Sequence, residues 1–199
     1  MMSKLARLSA FVALLVWAPP VAAEDARTVM KQSIDQVLAA LREPGLSHEE
    51  RLRRVEKVAE ARFDFKRMSK LVLARNRKKL SAEQQDEFLV EFQKHLTMTY
   101  GRRLGEFSNE TIEMGDARTE SNGDVTVKTI VRGGAADGVL IDYRMRARDD
   151  SWYVIDVIIE GISLISNFRS QVQEIVSTKG ANQLIDVLRE KNEKEEQES

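Results

Sequence analysis

The spacing of apolar residues along the chain predicts a run of helices in its first half. Apolar positions three and four apart predict a first helix that ends before Pro44-Gly45: Met30, Ile34, Val37, Leu38 and Leu41. Ser47 with Glu50 and Ser81 with Gln84 form capping-box patterns, each of which predicts the start of another helix. A short helix is predicted between them over 63–73. The helix after Ser81 is the longest and carries an apolar stripe of Phe88, Phe92, Leu96 and Tyr100.

From Thr111 onward the period changes to two, which predicts β-strands. The clearest strand alternates apolar residues (Val139, Ile141, Tyr143, Met145) with Asp142, Arg144, Arg146 and Arg148. The Gly-rich segment 133–138 before it is predicted to be a hairpin turn rather than a phosphate loop, because no Lys-Ser/Thr follows it. The strand 152–159 after it is apolar on both faces, so the pattern leaves open which face points into the core.

Helical spacing returns after Gly161, and Gly180 is predicted to cap that helix at its C-terminal end. A last helix over 181–188 is predicted to precede a charged, disordered tail, 189–199. The predicted fold class is therefore α+β: a small curved antiparallel sheet of about four strands, wrapped by N-terminal and C-terminal helices around an apolar pocket. Residues 24–188 are predicted to form this single domain.

The first 23 residues have the pattern of a cleaved export signal. Lys4 and Arg7 precede the apolar run 8–18, and Val21-Ala22-Ala23 provides the small residues of a cleavage site. Eleven apolar residues fall short of the ~20 that a membrane-spanning helix needs. We therefore predict a signal peptide over 1–23, cleavage after Ala23, and a periplasmic location.

Composition excludes several kinds of chemistry. The 199 residues include no Cys and two His, so thiolate catalysis and Cys-based metal sites are excluded and no metal or cofactor is expected. Lys and Arg total 31 against 32 Asp and Glu, and a net charge of −1 argues against a nucleic-acid-binding protein.

Two polar features have both a functional and a structural interpretation. Asp156 lies in the apolar segment 154–158, where it is either a general base in a hydrophobic pocket or, as we favour, a structural carboxylate that caps a helix or pairs with an Arg. The basic run Arg75, Arg77, Lys78 and Lys79 is either a docking site for a partner or a solvated loop between helices.

The segment 152–171, WYVIDVIIEGISLISNFRSQ, carries a family resemblance. It resembles the signature of the MlaC/toluene-tolerance family, in which a strand W-x-V-Y-D-V ends in E-G-V-S and enters a helix containing N-Y-R. Phe63-Asp64-Phe65 with Leu71-Val72-Leu73 resembles the family's F-D-F…L-V-L segment, and Thr99-Tyr100-Gly101 matches its next block. Ile155 and Phe168 stand where Tyr is common in the family.

The resemblance implies a periplasmic carrier of phospholipid that is not an enzyme. Its implied partners are an outer-membrane lipoprotein complex and the substrate-binding subunit of an inner-membrane ABC transporter, with transient contact at membrane surfaces. Acyl chains need an apolar container, and the residues expected to contact them are Leu71, Val72, Phe92, Leu96, Tyr100, Val127, Ile141, Tyr143, Met145, Val154 and Ile158.

Three alternatives to a phospholipid carrier remain at this point. A hopanoid or another apolar ligand would use the same kind of container. An enzyme would act on a hydrophobic substrate through Asp156. A lipid-free adaptor would use its helical faces as protein contacts.

Overall fold

The computed structural model describes residues 21–105 and 109–197. The first half consists of helices and the second of a sheet followed by two more helices. The helices are α1 (Val21–Arg42), α2 (His48–Arg62), α3 (Phe65–Leu73), α4 (Ala82–Gly105), α5 (Leu164–Thr178) and α6 (Leu184–Gln197). Short 3₁₀ turns cover Ala74–Lys79, which we call the basic turn, and Ala181–Gln183. Most of the predicted signal peptide, 1–20, lies outside the described residues, so cleavage after Ala23 stays a prediction.

The sheet is antiparallel throughout, and its strands are neighbours in chain order. The strands are β1 (Thr111–Thr119), β2 (Val125–Arg132), β3 (Leu140–Arg148), β4 (Ser151–Ile159) and β5 (Ile162–Ser163). This architecture confirms the predicted α+β class. The fifth strand was not predicted because two residues are too few to show alternation.

An irregularity in strand pairing decides which residues of β4 share a face. Arg144 pairs with Asp156, whereas the next residue, Met145, pairs with Val154, so Ile155 is the extra residue of a β-bulge. Side chains alternate between faces in a regular strand, and an extra residue reverses that alternation. Val154 therefore shares a face with Val157, and not with Ile158.

Both predicted capping boxes are present at helix starts. The Ser47 hydroxyl accepts from the Glu50 amide at 3.2 Å, and the Glu50 carboxylate accepts from the Ser47 amide at 2.8 Å. Ser81 and Gln84 form the same reciprocal pair, at 3.2 and 2.9 Å. Each pair satisfies amide groups that a helix start leaves without an intrahelical acceptor.

The prediction of a disordered tail was wrong for the described residues 189–197, because α6 continues to Gln197. Asn192 is fully buried, with Nδ2 donating to the Glu91 carboxylate at 2.8 Å and Oδ1 lying 2.9 Å from His95 Nδ1. Leu184, Leu188 and Asn192 are spaced four apart, so Asn192 continues the buried stripe of α6. A polar residue at that position hid the stripe in the apolar pattern.

Candidate functional site

One face of the sheet is apolar and meets the helices. Cross-strand pairing arranges it in three rows, which together we call the apolar face: Met114, Thr129, Ile141 and Ile159; then Ala117, Val127, Tyr143 and Val157; then Thr119, Val125, Met145 and Val154. Val125, Met145 and Val154 in the third row have no exposed surface. Met114, Ile141 and Ile159 in the first row are only half-buried. On β3 and β4 the apolar face is therefore fully buried at its third row and partly exposed at its first. The outer strands differ, because Thr119 of the third row is exposed and Thr129 of the first row is fully buried.

The first row extends to the edge of the sheet through β5. Ile162 pairs with Ile159 and leaves 63% of its surface exposed. Soluble proteins tolerate single exposed apolar residues, but here the exposed residue continues a half-buried apolar row. The first row and Ile162 together form an apolar rim, and the rim is where an apolar ligand would reach the interior.

Ten of the eleven residues predicted to contact lipid belong to one apolar cluster. In that cluster Leu71 and Val72 of α3 and Phe92, Leu96 and Tyr100 of α4 join residues of the apolar face. Leu71 and Tyr100 are half-buried like the first row, whereas Val72 and Phe92 are at most 1% exposed. The structure thus brings the predicted helix and sheet residues together; their contact with lipid stays a prediction.

Ile158 is the exception, and its placement with the others was wrong. It pairs with Asp142 on the opposite face, because the bulge at Ile155 reverses the alternation of β4. Val157 and Ile159 lie on the apolar face instead of Ile158, and neither was predicted. The Asp at position 156 was the available signal, since a carboxylate marks the polar face and its alternate neighbour Ile158 lies with it.

Polar groups on the apolar face are few and mostly satisfied. The Thr129 hydroxyl donates to the Ile141 carbonyl at 2.7 Å. Burial raises the pKa of Tyr143 to about 12, from 10.0 for an exposed phenol. A hydroxyl that stays neutral in this way is compatible with an acyl chain beside it.

The raised pKa predicts a loss of stability at alkaline pH. Between pH 10 and about 12 the unfolded chain loses the Tyr143 proton while the folded protein keeps it, so the free energy of unfolding falls as pH rises through this window. We expect Tyr143→Phe to reduce that fall, as measured by urea unfolding across the window. Tyr153→Phe is the control and should leave the Tyr143 contribution in place. An unchanged pH dependence in Tyr143→Phe would contradict the assignment.

Asp156 has the structural role that the sequence analysis favoured. The residue is 3% exposed, and its carboxylate accepts from the Ser163 hydroxyl at 2.6 Å and from the Ile165 amide at 3.1 Å and lies 3.5 Å from Arg144 Nη1. It therefore fixes the first turn of α5 to β4. Because it pairs with Arg144, Asp156 also lies on the face opposite the apolar face.

The predicted docking residues lie together on the surface. Arg75, Arg77, Lys78 and Lys79 are exposed in the basic turn, and only Asn76 among its six residues is buried. The turn is ordered 3₁₀ structure rather than an irregular loop. The backbone positions of its basic residues are thus fixed between α3 and α4.

Two recesses lie outside the apolar face. A cavity of about 20 Å³ between α4, α5 and α6 is bordered by Phe92, His95 and Phe168. It has room for about one water molecule and none for an acyl chain. A surface groove of about 610 Å³ separates the basic turn from α5.

Comparison with known proteins shows the family to which this chain belongs. The family model described as MlaC protein matches residues 31–190, which includes all six helices in part or whole and the entire sheet. The chain belongs to the MlaC family. In this MlaC protein the segment 152–171, which resembles the family signature, covers β4, β5 and the first half of α5. Asp156 connects these elements through its hydrogen bond with the Ile165 amide.

Two relatives illustrate the similarity. The toluene tolerance protein Ttg2D of Pseudomonas putida is 26% identical over 103 residues, which is 52% of this chain and 48% of the relative. The match thus spans about half the length of that curated relative. A phospholipid-binding protein from Ralstonia solanacearum, solved in complex with a phospholipid, is 27% identical with a TM-score of 0.78. That likeness covers 86% of this chain and 98% of the other.

Two further properties concern the part of the chain that the structure describes. Within 21–105 and 109–197, no helix is long and apolar enough to cross a membrane. The same residues contain no group of three or more His, Asp and Glu side chains placed to hold a metal ion.

Proposed function

We propose that this MlaC-family protein is a periplasmic carrier that binds phospholipid by its acyl chains and moves it between the outer and inner membranes. The observation that carries the proposal is the change of burial along β3 and β4, from Met145 and Val154, which have no exposed surface, to the half-buried Ile141 and Ile159. Such a face offers an apolar interior with an opening at one end. The structural neighbour from Ralstonia solanacearum, bound to a phospholipid, supports the choice of ligand.

The physical requirement for such a carrier is the cost of exposing acyl chains. Each CH₂ group moved from an apolar environment into water costs about 0.8 kcal/mol, so a diacyl lipid does not cross an aqueous compartment unshielded. A carrier must therefore match the membrane interior closely enough to exchange lipid in both directions. An apolar face with few polar groups, here Thr129 and Tyr143, provides that match without binding the lipid irreversibly.

We further propose that lipid enters at the rim and separates α3, which contacts both β4 and α4, from the sheet. The inner rows are filled by side chains, with Val72, Phe92, Val127 and Met145 at most 1% exposed. An acyl chain therefore has to replace contacts between helix and sheet residues as it moves inward from Ile141 and Ile159. Apolar contacts are exchanged for apolar contacts, so the net free-energy cost of this replacement is small.

Transfer between vesicles tests the carrier function. Donor vesicles would contain a labelled phospholipid, and acceptor vesicles would contain none. We expect the transfer rate to rise in proportion to the concentration of the mature protein. A rate equal to that of spontaneous exchange would contradict the proposal, and a hopanoid that moves while phospholipid does not would keep the mechanism and change the cargo.

The basic turn is proposed to dock the membrane-bound partners, namely the substrate-binding subunit of an ABC transporter and an outer-membrane lipoprotein complex. Arg77→Glu with Lys78→Glu is expected to weaken binding to the purified partner by about tenfold, since charge complementarity is lost. The control is Lys57→Glu with Lys194→Glu, the same change of charge on α2 and α6. If the variant with reversed charges at Arg77 and Lys78 binds the partner as tightly as the parent protein, the basic turn is a solvated surface without a docking role.

The catalytic alternative receives no support from Asp156. Both of its carboxylate oxygens already accept hydrogen bonds, from Ser163 and Ile165, and the side chain lies away from the apolar face. A general base at this position would have to give up the bonds that hold α5.

A further inference from the structure

The groove between the basic turn and α5 has the dimensions of a short extended peptide. Its volume is about 610 Å³, and its α5 wall includes Arg169, Gln173 and Ser177. These positions are four residues apart, so the wall is about 12 Å long at 1.5 Å per residue. An extended polypeptide rises about 3.3 Å per residue, so three to four residues span the groove.

The basic turn beside the groove belongs to a strongly basic segment of the chain, although the chain as a whole is not basic. Residues 66–79 contain seven Lys and Arg and no Asp or Glu, in a chain of net charge −1. Among the described residues, none of these seven side chains forms an ion pair with a carboxylate within 4.0 Å. Of the charged residues that line the groove itself, Arg75 and Arg169 are basic and Glu174 is acidic. The charge is thus available to an acidic ligand.

Asn76, at the floor of the basic turn, is an independent sign of a ligand. It is 2% exposed and lines the groove, and its Oδ1 has no hydrogen-bond donor. Its Nδ2 donates at 3.2 Å to Gln173 Oε1, which also accepts from Arg75 Nη2 at 3.1 Å. Gln173 Oε1 therefore accepts from two side chains, whereas Asn76 Oδ1 accepts from none. Buried acceptors without donors are rare in folded proteins and need an explanation.

The backbone before Asn76 is also strained. Ala74 has φ 46° and ψ −124°, an unfavourable conformation for a residue with a Cβ atom. Such residues persist where the surrounding structure holds them, and they cluster at functional sites. Here the strained residue lies in the wall of the groove and turns the chain from α3 into the basic turn.

We propose that this groove binds an extended acidic segment of a partner protein. Carboxylates of the segment pair with Arg75 and with the terminal nitrogens of Arg169, whose Nε already donates to the Leu71 carbonyl at 2.9 Å. A backbone N–H of the segment donates to Asn76 Oδ1 after a small shift of the side chains around it. A single phosphate group would fill only part of the 12 Å wall. The inference rests on the docking role proposed above and specifies its partner.

Selection from a library of random heptapeptides displayed on phage tests this inference on the full mature protein. We expect enrichment of peptides rich in Asp and Glu. The Kd of these peptides for the Arg75→Glu variant should be at least about tenfold higher than their Kd for the parent protein. Ser170→Tyr fills the exposed groove without changing charge and should weaken the same peptides, whereas Lys57→Glu on α2 should not. Inorganic phosphate and vesicles of phosphatidylethanolamine serve as competitors.

The outcomes separate the docking inference from the carrier function. Selected peptides that bind Arg75→Glu and Ser170→Tyr as tightly as the parent protein would overturn the inference, and so would the absence of enrichment. Full displacement of the peptides by vesicles would assign the groove to a lipid headgroup, and full displacement by inorganic phosphate would assign it to a small anion; either result would overturn the inference. Lipid bound to the same preparation is measured in parallel, so a protein that holds lipid without selecting acidic peptides fails only the docking inference.

Discussion

Replacing Ile141 by Glu is expected to give a folded protein that retains less than about a tenth of the bound phospholipid. Ile141 lies in the first row of the apolar face and is half-buried, so the fold tolerates a polar side chain that can reach water. An acyl chain at this position would force the carboxylate out of water, which costs several kcal/mol. The measurement is the lipid content of the purified protein by mass spectrometry, with circular dichroism to verify the fold.

The matched control is Ile158→Glu. Ile158 is also half-buried, and it differs from Ile141 in lying on the opposite face beside Asp142. It should keep its lipid. Equal lipid loss in both variants, or none in Ile141→Glu, would contradict the placement of the site. Leu96→Glu is a poorer test, because Leu96 is 7% exposed and a buried Glu there would unfold the helix layer.

Removing the Asp156 carboxylate is expected to lower the free energy of unfolding by about 3 kcal/mol. Asp156→Ala leaves the Ile165 amide, the Ser163 hydroxyl and the Arg144 guanidinium without their acceptor, at a position 3% exposed. Since the Ile165 amide belongs to the first turn of α5, the loss weakens the junction between that helix and β4. Urea unfolding provides the measurement.

Asp142→Ala is the control for this effect. It removes a carboxylate from the same face of the sheet at a half-buried position, where a change of less than about 0.5 kcal/mol is expected. Asp156→Asn should fall between the two, because its amide oxygen can still accept from Ile165. An unfolding midpoint unchanged in Asp156→Ala would show that the carboxylate is not structural and would revive its catalytic interpretation.

Regular alternation made part of the candidate site predictable. In β3 the positions Ile141, Tyr143 and Met145 alternate without interruption, and all three lie on the apolar face. The stripe Phe92, Leu96 and Tyr100 was predictable for the same reason, since an unbroken helix keeps residues four apart on one side.

Other parts depended on contacts that the sequence does not reveal. The bulge at Ile155 moves Val157 and Ile159 onto the apolar face and Ile158 off it, and the insertion itself is visible only in the pairing of β4 with β3, although Asp156 marks the polar face beyond it. Asn192 extends the buried stripe of α6 because Glu91 and His95 of α4 satisfy its amide, and these partners are about a hundred residues distant. The groove beside Asn76 likewise forms only when α5 packs against the basic turn.

The most direct test of the central claim is native mass spectrometry of the mature protein, purified from a periplasmic extract without detergent. We expect one stoichiometric adduct with the mass of a diacyl phospholipid, which solvent extraction releases and identifies. We also expect that Ile141→Glu loses the adduct while Ile158→Glu keeps it. A protein that is reproducibly free of lipid, and that takes up none from phospholipid vesicles, would contradict the assignment of the apolar face as a lipid-binding site.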